Sequence, residues 1–164
     1  LAAIKQTKND RIGVLGTNAT IASKVYPKTM HDKNKDIEVF DIACPKFVPI
    51  VESNQSDTKE AEEVVRETLR PLEGTEVDTV ILGCTHYPIL KKEIEEYYGN
   101  NIKVISSGRE AAREVSSVLG YTKLHQKRFN KKEHRFFISE DSDNFNNIAS
   151  KWLNKEIIAE VVDL

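Results

Sequence analysis

Cysteine is scarce in this chain. Two in 164 residues are too few for the disulfide framework of a small secreted domain, and neither Cys44 nor Cys84 sits in a CxxC or Cys/His cluster with zinc-ligand spacing. Free thiols in a reducing compartment, and no metal, are therefore expected. Long apolar runs are missing too: nothing approaches the roughly 20 consecutive apolar residues of a membrane helix, and Leu1-Ala2-Ala3-Ile4-Lys5-Gln6 lacks the apolar core of a signal peptide. The chain reads as cytoplasmic, with no membrane partner. Charge of one sign is absent as well. With 24 Lys plus Arg against 26 Asp plus Glu the formal net charge is −2, which creates no long-range field toward nucleic acid or anionic lipid. A small soluble ligand is the natural partner. No internal repeat or low-complexity tract interrupts the sequence, and its length suffices to bury a core without a staple.

What is present is an alternation of short apolar runs with amphipathic stretches. Ile12-Gly13-Val14-Leu15-Gly16 reads as a strand ending in a tight turn, and Thr17 offers an N-cap for a helix carrying Ile21, Val25 and Met30. Ile37, Val39, Phe40 and Ile42 make a second strand, closed by Cys44-Pro45, where proline forbids continued pairing in a central strand. Ser56-Asp57-Thr58-Lys59-Glu60 supplies cap-and-acid chemistry for a helix with Ala61, Val64, Val65, Thr68, Leu69 and Leu72 at the 3.6 period. The β-branched run Thr79-Val80-Ile81-Leu82 has the character of a central parallel strand and delivers Gly83-Cys84 to its carboxyl end. Pro88 suits the first turn of the next helix, which Gly99 stops. Val104-Ile105 and a helix over Arg109 to Leu119, with Gly120 as C-cap, repeat the pattern. Such alternation predicts an α/β fold with a mostly parallel sheet flanked by helices, binding ligands outside the carboxyl ends of the strands.

Further on, Lys123 to Arg135 is polar and locally basic, but one aromatic, Phe129, makes no stacking platform, so it reads as a solvated loop rather than a nucleic-acid arm. A strand at Phe136-Phe137-Ile138 follows. Phe145, Ile148, Ala149, Trp152 and Leu153 then share one helical face, and Ile157 to Val162 forms a last strand.

The candidate chemistry gathers after the third strand. Cys84 stands at its end, with Thr85, His86 and a helix start close behind. A helix N-terminus or a cationic histidine makes a thiol easier to ionise, and the same N–H groups would hold a carboxylate. Taken singly the residues are ambiguous: Cys84 could be a small buried hydrophobe, and His86 a satisfied structural histidine.

The string Gly83-Cys84-Thr85-His86-Tyr87-Pro88 is far more specific. Together with Cys44-Pro45-Lys46-Phe47-Val48-Pro49-Ile50-Val51-Glu52, it makes the chain resemble the glutamate racemases, a branch of the cofactor-independent aspartate/glutamate racemases. The resemblance covers nearly the whole chain, from Ile12 to Gly16 with Thr17 and Thr20, through Asp78 to Pro88, to Ser107-Gly108, Glu110, Ala112 to Val115, and the tail from Phe145 to Leu153. It implies inversion at the α-carbon of glutamate by two thiols, without cofactor, to supply D-glutamate for peptidoglycan. Cys84 matches the C-terminal thiol, which deprotonates L-glutamate. Thr85 and His86 match positions that hold or flank the substrate. His86, supported by Glu52, tunes the thiol and relays its proton, and Thr17 and Thr20 resemble substrate-side threonines. Without the motif, Glu52 reads as a surface acid and Thr17 as a plain N-cap.

The family's first half carries the other cysteine, an Asp-Ser-Gly-type loop and an asparagine, and none of these precedes Leu1. The expectation is therefore a C-terminal part, incomplete relative to the two-lobe family fold and inactive alone. Residues 1–105 would form the second lobe, and residues 106–164 a return segment that packs on the other lobe. Apolar surface on such a segment favours mobility, swapping or a homo-oligomer. Cys44 also lies beyond a strand, but the family places its partner thiol upstream and the Cys-Pro string looks structural. Ser106 stands where the family usually has an aspartate. Two other readings stay open: a non-catalytic α/β binding or assembly module, and racemisation of aspartate.

Overall fold

The computed structural model describes residues 1–99, 101–126, 134–140 and 142–163. The chain divides into two compact units, Leu1–Thr122 and Lys123–Leu164.

In the first unit a short helix α1 (Ala2–Gln6) leads into strand β1 (Arg11–Gly16), helices α2 (Asn18–Ala22) and α3 (Val25–His31), strand β2 (Glu38–Ala43), and helices α4 (Phe47–Glu52) and α5 (Lys59–Leu69). Strand β3 (Thr79–Leu82), a 3-10 turn over Tyr87–Leu90, helix α6 (Lys91–Tyr98), strand β4 (Lys103–Ser106) and helix α7 (Ser107–Tyr121) complete it. All four strands are parallel, in the order β2-β1-β3-β4. The α/β architecture with a parallel sheet is the one the alternation predicted.

Side chains alternate across the sheet with period two. Leu15, Val80 and Leu82 face one way, into a cluster with Phe47, Val51, Val65, Leu69, Tyr87, Leu90 and Ile94 from α4, α5, α6 and the 3-10 turn. Ile12, Val14 and Ile81 face the other way, against Ala3, Met30 and Ile37. Because both faces are covered, β3 is buried throughout, which is why Thr79 to Leu82 read as an unbroken apolar run. The connection from β1 to β2 lies on one face and that from β3 to β4 on the other, so the chain changes direction between β1 and β3. Ligands of doubly wound sheets bind at that switch point, and here it carries Thr17 and Cys84.

Three expectations change. Instead of one helix from Thr17 to Met30, the chain breaks at Lys24, which takes a left-handed conformation (φ 52°) between α2 and α3. Pro27 explains it: it has no N–H to offer Ser23 and so cannot continue the first helix. Lys24 instead reaches Asp41 Oδ2 at 3.0 Å. Pro88 opens a 3-10 turn, with the α-helix starting only at Lys91, although Gly99 does end that helix left-handed (φ 64°). Gly120 lies inside α7, which runs to Tyr121 and buries none of its residues.

The second unit pairs β5 (Phe136–Ile138) with β6 (Ala159–Val161) in parallel across helix α8 (Ser142–Leu153). Of the basic stretch, residues 127–133 lie outside the described residues. Arg135 is engaged locally, paired with Glu160 at 2.8 Å and stacked 4.9 Å from the Phe137 ring centre. No helix among the described residues is long and apolar enough to cross a membrane.

Candidate active site

Three loops at the carboxyl ends of β1, β2 and β3 build the site. After β1, Gly16 is followed by Thr17, whose Oγ1 accepts from Thr20 N at 3.3 Å, and the two hydroxyls lie 3.0 Å apart. Thr17 is therefore the N-cap of α2. Both threonine hydroxyls remain partly exposed at the mouth.

After β3, Gly83 N donates to Leu15 O at 2.8 Å. A side chain on Gly83 would place its Cβ 2.9 Å from that same carbonyl oxygen and 3.4 Å from Tyr26. Glycine is required by close approach, and it brings Cys84 out beside the end of β1. Tyr87 N then donates to Cys84 O at 3.3 Å, folding the segment into the 3-10 turn. Cys84 is partly exposed and Thr85 exposed.

After β2, Cys44 N donates to Gly16 O at 2.8 Å and Phe47 N to Cys44 O at 3.2 Å, which starts α4. Glu52 is the last residue of that helix.

Together these loops form a line of three side chains. Cys84 Sγ lies 3.9 Å from His86 Nδ1, and His86 Nε2 lies 3.2 Å from Glu52 Oε1. Thr85 Oγ1 is 3.4 Å from the same Nδ1. A carboxylate at Nε2 favours the tautomer with the proton there, leaving the Nδ1 lone pair directed to the thiol. Protonated at Nδ1, the ring becomes an imidazolium held between a thiolate and a carboxylate. The Glu52 side chain is 55 % exposed and that of His86 28 %, so the pair is no large source of stability.

All of the candidates at the β3 mouth are thus brought together: Cys84, Thr85, His86 and Glu52. Thr17 and Thr20 sit on the adjoining β1 loop. Cys44 is different. It is completely buried, its thiol donates to Ile42 O at 3.5 Å, and burial pushes it up to about 12, with Cys84 adding to the rise and a backbone hydrogen bond at Gly16 opposing it. It is a core residue. Ser106 caps α7, accepting from Arg109 N at 3.4 Å, a task aspartate performs equally well. Gly83 and Tyr87 belong to the motif, yet the sequence assigns neither a role. A glycine directly before the nucleophile candidate is the available signal for the first, but Tyr87 offers none. A cleft of about 420 Å³ lies along β4, lined by Lys91, Lys103 and Arg109 among others, and shares only Pro88 with the string. The line from Cys84 to Glu52 is elsewhere. Among the described residues no three His, Cys, Asp or Glu side chains gather as a metal site requires.

Comparison with known proteins identifies the chain's relatives. The Asp/Glu/hydantoin racemase family profile matches residues 1–115. A glutamate racemase of Listeria monocytogenes is 48 % identical over 153 residues, covering 93 % of this chain and 58 % of that protein. Among solved structures, a glutamate racemase isoform from Bacillus anthracis superposes with a TM-score of 0.90 at 39 % identity, covering 99 % of this chain and 61 % of the other. The Francisella tularensis glutamate racemase, solved in complex with D-glutamate, gives 0.83 at 31 %, covering 94 % and 58 %. The chain spans 58 % of the length of its Listeria relative.

Proposed function

From the premise that this chain belongs to the Asp/Glu/hydantoin racemase family, we propose that it supplies one half of a glutamate racemase site, with Cys84 as the base on the L-glutamate face. The observation that carries the reading is the line Cys84, His86, Glu52, at 3.9 and 3.2 Å. The names of the relatives supply the substrate.

In this reading the Cys84 proton passes to His86 Nδ1, and Glu52 steadies the resulting imidazolium. The thiolate takes the α-proton of L-glutamate, and the electron pair left on Cα spreads into the adjacent carboxylate. A Cα proton is far less acidic than a thiol, so donors must stabilise that charge as it develops. Thr85 and the Thr17–Thr20 hydroxyls are the donors this chain contributes. A proton delivered to the opposite face gives D-glutamate, and that step needs a second thiol, because the only other cysteine in the sequence is Cys44 in the core. Residues 1–105 would act as one lobe and residues 106–164 as the segment that packs on another. The apolar face of α7, with Val115 and Val118 more than half exposed, supports such packing or pairing between copies. Cofactor independence, a cytoplasmic location and supply of D-glutamate to peptidoglycan belong to the same proposal.

The test is wash-in of solvent deuterium at Cα, followed by proton NMR and circular dichroism. It is run on this chain alone and on a chimera in which the part of the Listeria relative not covered by this chain is joined ahead of Leu1. The chimera should exchange and racemise glutamate in preference to aspartate, its Cys84→Ser variant should not exchange L-glutamate, and the chain alone should not racemise. Exchange that persists in the Cys84→Ser chimera removes Cys84 from the mechanism.

A further inference from the structure

The line from Cys84 to Glu52 joins two separate pieces of chain. Cys84 and His86 belong to the turn after β3, and Glu52 to the far end of α4. Their 3.2 Å contact depends on how α4 is seated against that turn, and the ion pair, with Glu52 more than half exposed, is too weak to seat a helix by itself.

One side chain is placed to do so. Tyr87 follows His86 directly, and it is fully buried. Its ring meets Phe47, the first residue of α4, edge to face at 5.1 Å. Its hydroxyl donates to Cys44 O at 3.1 Å, the carbonyl that also accepts from Phe47 N at the start of α4. Burial keeps the phenol protonated and therefore a donor. The contact extends further, since Cys44 N donates to Gly16 O, next to Thr17. A single tyrosine thus ties the β3 turn to the β2 turn, which is itself tied to the end of β1.

We infer that Tyr87 is a positioning residue: through its hydroxyl bond to Cys44 O and its ring contact with Phe47 it sets α4 so that Glu52 meets His86. This rests on the reading of Cys84, His86 and Glu52 as one proton-transfer unit. The ring alone would fill the core, while the hydroxyl determines the seating of α4. Removing it leaves Cys44 O with the turn bond from Phe47 N and frees the helix start to shift. Since α4 rises about 1.5 Å per residue, a small tilt at Phe47 is carried to Glu52 at its other end.

The experiment is done on this chain and needs no turnover. Cys84 is the accessible thiol, so the rate of iodoacetamide alkylation, with the modified site identified by mass spectrometry, reports on it alone. Nitrogen-15 shifts of the His86 ring report the tautomer. Tyr87→Phe should slow Cys84 alkylation at pH 7 by about three- to tenfold, Glu52→Gln should do the same, and the double variant should lose little more than either, as expected of residues acting through one contact. The His86 ring shifts should move in both single variants. Phe47→Leu, which loosens the ring contact and keeps the hydroxyl, is a second route and should move the same readouts in the same direction. A Tyr87→Phe chain that melts earlier but alkylates at the wild-type rate, with unchanged His86 shifts, reduces Tyr87 to core packing and overturns the inference. If Glu52→Gln and His86→Asn themselves leave Cys84 alkylation unchanged, the underlying proton-transfer reading fails instead.

Discussion

The two thiols of this chain should differ in reactivity by orders of magnitude, and the difference follows from where each stands. Cys44 is completely buried and its thiol is pushed up to about 12 by burial. At pH 8 about one part in ten thousand of such a thiol is ionised, against roughly a quarter for a free thiol near 8.5. Ionisation alone therefore slows Cys44 by a factor of about a thousand or more, before any opening of the core that must admit the reagent. Cys84 lies at an open mouth within reach of His86 Nδ1. Treating the native chain with iodoacetamide at pH 8, and analysing it by peptide mass spectrometry, should give one fast modification at Cys84. Cys44 should become available only after denaturation. A Cys84→Ser chain should lose the fast phase entirely. If both cysteines label at comparable rates in the native state, or if Cys44 labels first, then the burial argument is wrong and Cys44 regains standing as a second base.

Gly83→Ala should strain the site at its root, because its Cβ would stand 2.9 Å from Leu15 O, a backbone atom that cannot turn away. Overpacking of this kind costs about 1–3 kcal/mol, so the urea midpoint should fall and Cys84 alkylation should change, whereas an unaltered midpoint refutes the close-approach reading. Glu93 tests the electrostatics of the core. Burial and then the charge of Asp57 push its carboxyl above the usual range, against its own backbone hydrogen bond and Lys92, and its Oε2 has no hydrogen-bond partner among the described residues. A raised folded value means stability that is full below the ordinary carboxylate range and is lost as pH rises through the raised one. Glu93→Gln should therefore stabilise the chain at pH 7 by about 1 kcal/mol, with the gain shrinking toward pH 4, as read from urea midpoints. A loss of stability at pH 7 contradicts this.

The family was legible because the strings Gly83 to Pro88 and Cys44 to Glu52 resemble those of the glutamate racemases, and the structure shows local purposes for several residues of the first. A glycine lets the chain pass β1, a thiol follows at a strand end, and a proline starts the next turn. Both faces of β3 being covered left its apolar run unmistakable, and Thr17 behaves as the cap that its type and position indicate. The helix break at Lys24 is hidden by the apolar period of Ile21, Val25 and Met30, which continues across it, although the missing N–H of Pro27 decides the matter.

What the chain alone determined, then, was the alternation of elements, from which a mostly parallel sheet follows, and the identity of the candidate thiol, since strand, turn and helix signals lie within a few residues of one another. Only the tertiary structure decided which cysteine is reachable, that Glu52 meets His86 although the two stand 34 residues apart in the sequence, and that Tyr87 ties the β3 turn to the start of α4. Those facts are set by how separate segments pack against one another, and a contact of that kind leaves no periodicity in the residues that make it.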